Sequence, residues 1–364
     1  EPINSLVRIA EDHIGFSGHP TGVPGNGSLA VPLQTLFDVE TTLDLQTHVL
    51  PFTLEDVVLY VSRGSGLSIV NPFTGAPQTY VGNLGGSGGG VLDIALRSDG
   101  RMYGVEALPG GQNTAGRLIS IDWSNAAQST VGNDSIPDYN PDTNPPNPQQ
   151  LTSDAVDALA YRRVGADAAG VPQYDLYYAV RGIRGAATGS TLYRTNHANG
   201  SAAVATDQPW GLRGGIYETE PGDVGVTTGM AFLNGLLYGV SDSGMFYRIS
   251  SSGQASNVRS LGPSFTGLTA GPQNVEDGAY ANLLFAIDWS GTLYALDTTG
   301  EMQGVFSGGS TSASTYVYGA TGLAFSSADV NLWHPTMQRR SDPGHGITST
   351  FDQSRPANVT WTTD

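Results

Sequence analysis

The chain has 364 residues, a formal net charge of −17, 49 glycines, 21 prolines and no cysteine. Without cysteine there is no disulfide, no thiolate metal site and no cysteine nucleophile. All 16 basic residues are arginine, which excludes Schiff-base chemistry on a lysine and a Walker-type phosphate loop, while the acidic balance argues against nonspecific nucleic-acid binding.

No apolar stretch approaches the roughly 18 residues that a membrane helix needs. The chain opens at Glu1-Pro2 without Met and without a basic-plus-apolar leader, which reads as a processed or trimmed N-terminus. The wealth of Gly, Pro, Ser, Thr, Asn and Asp predicts many short strands joined by tight turns.

In chain order, residues 1–55 read as an N-terminal segment, partly strands. A repeat follows, with inner strand a, then b and c, and a weaker outer strand d. The first unit supplies b, Val58-Leu-Tyr-Val, then c, Leu67-Ser-Ile-Val, and d, Thr79-Tyr-Val-Gly. The second reads Leu92-Asp-Ile-Ala-Leu, Met102-Tyr-Gly-Val, Leu118-Ile-Ser-Ile and Ser129-Thr-Val-Gly. The third reads Asp157-Ala-Leu-Ala-Tyr, Leu176-Tyr-Tyr-Ala-Val and Leu192-Tyr-Arg. The fourth is the clearest: Gly229-Met-Ala-Phe, Leu237-Tyr-Gly-Val, Met245-Phe-Tyr-Arg-Ile and Val258-Arg-Ser-Leu-Gly. The fifth reads Gly267-Leu-Thr-Ala, Leu284-Phe-Ala-Ile, Leu293-Tyr-Ala-Leu and Gln303-Gly-Val-Phe, and a last strand a, Gly322-Leu-Ala-Phe, closes the series.

Strand b is apolar at successive positions, as expected where both faces of a strand are covered. Four-stranded antiparallel units stacked face to face around an axis provide that cover, so the expected fold is an all-β β-propeller. A last strand that completes the first unit would close a ring of five blades and remove two exposed sheet edges. If Val330-Asn-Leu-Trp and strands within residues 30–50 form a unit of their own there are six, and six is favoured. The propeller is placed at residues 56–333, with an extended tail at 334–364.

In an up-and-down blade the b–c and d–a connections share one face. The long insertions Ala107–Gly116, Arg181–Ser190, Gly132–Asp154 and Thr206–Thr227 fall there, against two long a–b loops, Val164–Gln173 and Gly271–Asn282. Long loops on one face of a repeat scaffold are where function collects. The candidate binding residues on this face are Glu106, Arg181, Arg184, Trp210, Arg213, Tyr217, Glu218, Glu220 and Asp223. Aromatics mixed with Arg and carboxylates suit a partner protein or a polar ligand such as a glycan.

Catalytic and metal signals are sparse. Asp138, Asn140 and Asp142 place oxygen ligands at alternate positions, a weak calcium candidate lacking the central Gly and closing Glu of an EF-hand. Ser87 matches a nucleophile-elbow pattern inside a Gly-only run, without the strand-to-helix context that such chemistry needs. His334, Asp342 and His345 form the one local His/carboxylate cluster. Glu218, Glu220 and Asp223 are the carboxylates that a glycan-cleaving reading would use.

Thr321-Gly-Leu-Ala-Phe with Asn331-Leu-Trp-His-Pro-Thr and Asp342-Pro-Gly-His-Gly resembles segments of very large secreted or cell-surface proteins of planctomycete-type bacteria. Asp56-Val-Val-Leu-Tyr-Val with Val70-Asn-Pro-Phe-Thr-Gly is similar to their propeller-like stretches. The resemblance implies an extracellular location and a piece of a longer precursor, and it carries no catalytic residues. The expectation is a non-catalytic surface or matrix propeller that associates with a protein partner or with itself. A glycan-binding module or a polysaccharide-active enzyme is the alternative.

Overall fold

The computed structural model describes residues 53–85, 90–97, 100–106, 117–132, 156–166, 172–183, 186–195, 211–272, 275–326, 347–349 and 359–361. In chain order, β1 (Leu59–Arg63), β2 (Gly66–Asn71) and β3 (Ala76–Asn83) belong to the first sheet. The second sheet is β4 (Val91–Leu96), β5 (Met102–Glu106), β6 (Arg117–Ile121) and β7 (Gln128–Thr130). The third is β8 (Val156–Ala166), β9 (Pro172–Ile183), β10 (Ala186–Thr195) and β11 (Gly211–Ile216). The fourth is β12 (Thr227–Leu233), β13 (Leu236–Ser241), β14 (Met245–Ile249) and β15 (Ala255–Ser260). The fifth is β16 (Phe265–Ala270), β17 (Leu284–Asp288), β18 (Thr292–Leu296) and β19 (Ser312–Ser314).

The last inner strand, β20 (Gly322–Phe325), returns to the first sheet and pairs antiparallel with β1, Val61 facing Leu323. The inner strands then touch in a closed circuit, β20 to β4 to β8 to β12 to β16 and back to β20. The fold is therefore a β-propeller of five four-stranded antiparallel blades. This corrects the expectation of six. The chain ends share a blade, and the closed circuit of inner strands leaves no gap for another. The residues invoked for a sixth unit, 30–50 and 330–333, lie outside the described residues, as do most of the N-terminal segment and tail. Within the tail, β21 (Ile347–Ser349) and β22 (Val359–Trp361) pair antiparallel.

The repeated dipeptide of strand b explains how blades stack. Leu59, Met102, Leu176, Leu237 and Leu284 each lie in the core shared with the preceding blade. Their neighbours Tyr60, Tyr103, Tyr177, Tyr238 and Phe285 each lie in the core shared with the following blade. Adjacent strand residues point to opposite faces, so one dipeptide fills two interfaces. Burying each side chain contributes about 1.5–3 kcal/mol, and the ten side chains are shared among five inter-blade cores.

At the start of the inner strands a second device repeats. The a–b pairing shifts register between Val91 and Asp93, Val156 and Ala158, Thr227 and Gly229, and Phe265 and Gly267. Each bulge re-aims one side chain. Thr228 Oγ1 donates to the Phe265 carbonyl at 2.6 Å, and Thr321 Oγ1, just before β20, donates to the Val91 carbonyl at 2.7 Å. The glycine that follows allows the close approach. A Cβ on Gly229 would lie 2.4 Å from the Leu268 nitrogen, and one on Gly322 would lie 2.6 Å from Asp93 Oδ1.

Three strand expectations need correction. The outer strand of blade 5 is Ser312–Ser314, whereas Gln303-Gly-Val-Phe lies outside the sheet and makes isolated bridges at its flanks. The insertion Thr206–Thr227 contains β11, the outer strand of blade 3, hidden by its Gly-rich sequence Gly211-Leu-Arg-Gly-Gly-Ile. Both ends of the stretch read as the Val164–Gln173 loop, and most of Arg181–Ser190, are strand, because β8, β9 and β10 run well past the lengths of their counterparts.

Candidate functional site

On the b–c/d–a face, several candidate residues turn out to hold the scaffold together. Glu106 closes β5 and is 0 % exposed; its Oε2 accepts the Arg117 Nε–H across the β5–β6 pair at 2.6 Å. Arg181 is half exposed and grips Asp157 with two bonds, Nε to Oδ2 at 3.2 Å and Nη2 to Oδ1 at 3.0 Å. Such two-pronged geometry fixes both side chains.

Asp223 caps its own turn. Its carboxylate accepts the backbone N–H of Glu218 at 3.0 Å, of Thr219 at 2.8 Å and of Glu220 at 3.3 Å. Burial pushes its carboxyl slightly up, but those donors outweigh it and hold the group below the usual carboxylate range. Glu218 and Glu220 are exposed, and Tyr217 is half-buried with its carbonyl accepting the Gln254 amide at 2.7 Å. Arg184 and Trp210 lie outside the described residues, and of Arg213 only the backbone in β11 is described. The calcium candidates Asp138, Asn140 and Asp142, together with Ser87, His334, Asp342 and His345, also lie outside them. Among the described residues, no group of three or more His, Asp or Glu is placed to hold a metal ion.

The same face carries an exposed aromatic group outside the set of sequence candidates. Trp289 sits on the β17–β18 turn and is 54 % exposed; Tyr316 and Tyr318 sit between β19 and β20 and are 74 % and 67 % exposed. The Trp289 and Tyr318 rings meet edge-on with centroids 6.4 Å apart. The two segments are tied by the Gly319 N–H, which donates to the Trp289 carbonyl at 2.8 Å. Gly319 also abuts Arg63: a Cβ there would lie 3.5 Å from Arg63 Cγ and 3.7 Å from the Trp289 ring.

Two features hold these rings outward. Asp288 Oδ1 accepts the Ser290 hydroxyl at 2.6 Å and the Thr292 N–H at 2.9 Å, which stiffens the turn under Trp289. Tyr316 has φ +58°, a left-handed conformation that costs a non-glycine residue about 1 kcal/mol or more. Asp288-Trp-Ser-Gly is a turn, closed by the Gly291 N–H donating to the Asp288 carbonyl at 3.0 Å, and its Trp ring is not folded back onto the blade.

At the opposite end of the ring, the a–b ends of the inner strands surround a central cavity of about 600 Å³. Its described lining includes Ile94, Met230, Leu268 and Leu323 from four inner strands, with Arg97, Arg162, Arg163 and Tyr174 around them. None of the residues named as site candidates from sequence lines it. Just inside, Asp93 is buried, with Oδ1 accepting the Ile94 N–H and Oδ2 the Leu159 N–H, both at 2.9 Å. Burial lifts its carboxyl well above the usual range, against those two donors, and the charge of Asp157 adds to the lift.

No family model and no curated protein sequence matches the chain. Similar solved structures include a chain of a nidogen/laminin complex, with TM-score 0.40 and 10 % identity over 74 % of this chain and 98 % of that one. A regucalcin from Agrobacterium tumefaciens, described as calcium-binding, gives TM-score 0.35 and 12 % identity over 63 % of this chain and 64 % of that one. A protein of unknown function from Bacteroides caccae gives TM-score 0.34 and 9 % identity over 74 % and 98 %.

Proposed function

We propose that the protein is a non-catalytic β-propeller of an extracellular surface or matrix that associates with a protein partner, further copies of itself included, through its b–c/d–a face. The observation that carries this reading is the outward cluster of Trp289, Tyr316 and Tyr318 beside Arg63. Large aromatics with an adjacent Arg are the residue types that anchor protein interfaces. A non-glycine residue kept in a left-handed conformation fits a surface whose shape matters more than its own stability. The extracellular placement rests on the resemblance of the repeat and tail to large secreted and cell-surface proteins, and the acidic composition suits a chain that stays soluble in salt.

The carboxylates that glycan cleavage would use favour binding over turnover. Glu218, Glu220 and Asp223 are all exposed, none lines the cavity, and Asp223 is engaged with its own turn. A raised pKa in one member of a facing pair is what that chemistry needs. A glycan-binding module is the second reading, favoured by the accessible Trp289 ring next to the Arg63 stem.

Sedimentation velocity over a wide concentration range, on the protein and on Trp289→Ala/Tyr318→Ala, tests the proposal. Assembly that disappears in the double variant supports it. Concentration-independent monomers, with no partner recovered by pull-down from the native envelope, contradict it.

A further inference from the structure

The central cavity is a second candidate site, on the face opposite the aromatic cluster. Its volume, about 600 Å³, falls within the roughly 300–1,000 Å³ of small-molecule pockets. Its sides carry partly exposed apolar groups of the inner strands, from Ala95, Leu96, Tyr161 and Phe232. Its rim is built differently. Blade 3 extends its a–b hairpin: β8 continues from Arg163 to Ala166 beyond the point where β4, β12, β16 and β20 end, and β9 pairs with it down to Ala166 opposite Pro172. At about 3.3 Å per residue, those extra residues raise a wall of roughly 13 Å beside the cavity.

That wall brings charge of one sign. The described lining contains three guanidinium groups, from Arg97, Arg162 and Arg163, and no Asp or Glu, in a chain whose formal net charge is −17. A local reversal of sign within an acidic protein focuses anions on that spot. Arg97 is held in a tyrosine cage: its guanidinium carbon lies 4.1 Å from the Tyr174 ring centroid, 5.6 Å from that of Tyr103 and 5.7 Å from that of Tyr161. Stacking of this kind fixes the planar group. Arg162 lies 6.0 Å from the Phe232 ring centroid across the blade 3–blade 4 boundary, and both Arg162 and Arg163 are exposed to an entering ligand.

We propose that the cavity binds a small amphiphilic organic acid, its carboxylate taken by Arg162 and Arg163 at the rim and its apolar body laid against the inner strands. The apolar lining favours an organic acid over an inorganic oxyanion, which would leave those walls without a partner. Arginine suits the head group, because its planar fork matches a carboxylate with two parallel hydrogen bonds.

Isothermal titration calorimetry on the whole chain tests this, with octanoate, its neutral counterpart octanamide, and inorganic phosphate as probes. Octanoate should bind, and the other two should bind at least about tenfold more weakly, a difference of about 1.4 kcal/mol. Arg162→Gln/Arg163→Gln should weaken octanoate by at least about tenfold while leaving the thermal melt of the free protein unchanged, since both residues are exposed. Equal binding of octanamide overturns the ionic part, and equal binding of phosphate overturns the apolar part. No octanoate binding, or binding unaffected in a folded double variant, overturns the proposal entirely.

Discussion

Asp93 Oδ2 accepts the Leu159 N–H at 2.9 Å, joining the inner strands of blades 2 and 3 where no backbone ladder connects them. Blade 2 replaces the Thr-Gly pair of blades 4 and 1 with Leu92-Asp93, so a carboxyl links it to the next blade as threonine hydroxyls do at Thr228 and Thr321.

This linkage has a definite pH signature. Because burial raises the Asp93 carboxyl, the folded chain binds its proton more tightly than the unfolded chain does. Its contribution is greatest at acid pH and declines as pH rises from about 4, the unfolded value, through the raised folded one. Asp93→Ala leaves the buried Leu159 N–H without its acceptor, a loss of about 1–3 kcal/mol at acid pH. Urea melts of both proteins from acid to neutral pH should show that gap shrinking steadily. A gap that widens with pH would contradict the raised value.

Gly229 should be intolerant of any side chain. A Cβ would press on the backbone of Gly267 and Leu268 in the next inner strand, which no rotamer change relieves. Gly229→Ala should cost about 3 kcal/mol, at the upper end of ordinary overpacking. At Gly235, also a glycine but with nothing within 4 Å of the added carbon, the strain comes from its φ of +76° alone. Gly235→Ala should therefore cost about 1 kcal/mol. Chemical denaturation of the two variants compares them directly, and equal losses would contradict the close inter-blade approach.

Trp289→Ala/Tyr318→Ala removes two exposed rings, so its unfolding free energy should stay within about 0.5 kcal/mol of the parent. Circular dichroism melts in denaturant check this. A loss of several kcal/mol would show that the rings stabilise the blade and would remove the reason to read them as a docking surface.

The sequence shows much of this architecture and little of the sites, for physical reasons. The Leu-Tyr dipeptide was legible because both its faces are buried, and apolar residues at successive positions record that. Return of Gly322-Leu-Ala-Phe to the first unit was legible because that unit lacked an inner strand. Blade number was misjudged where apolar runs at 30–50 and 330–333 looked like further strands. β11 was missed because Gly211-Leu-Arg-Gly-Gly-Ile carries neither alternation nor β-branched residues beyond Ile216. The β8 extension, part of it inside the expected Val164–Gln173 loop, is hidden because Arg162, Arg163 and Val164 are all exposed and keep no apolar face. The cavity gathers the ends of five distant segments, and no local pattern announces such a meeting. The exposure of Trp289 depends on what the d–a connection of the same blade leaves uncovered, which its local sequence does not record.

Both end faces exist as described only if the last inner strand completes the first blade. Val61 and Leu323 are direct register partners across β1 and β20, and both side chains lie in the core between blades 5 and 1. Antiparallel partners stand about 4.5–5.5 Å apart at Cα, within the span of a disulfide. The chain has no cysteine of its own, so Val61→Cys/Leu323→Cys introduces the only two thiols. The account predicts that mild oxidation links them within one chain, protects both from maleimide and raises the melting temperature. Two thiols that stay reactive in the folded, oxidised protein, or that link only between chains, would contradict the five-bladed ring.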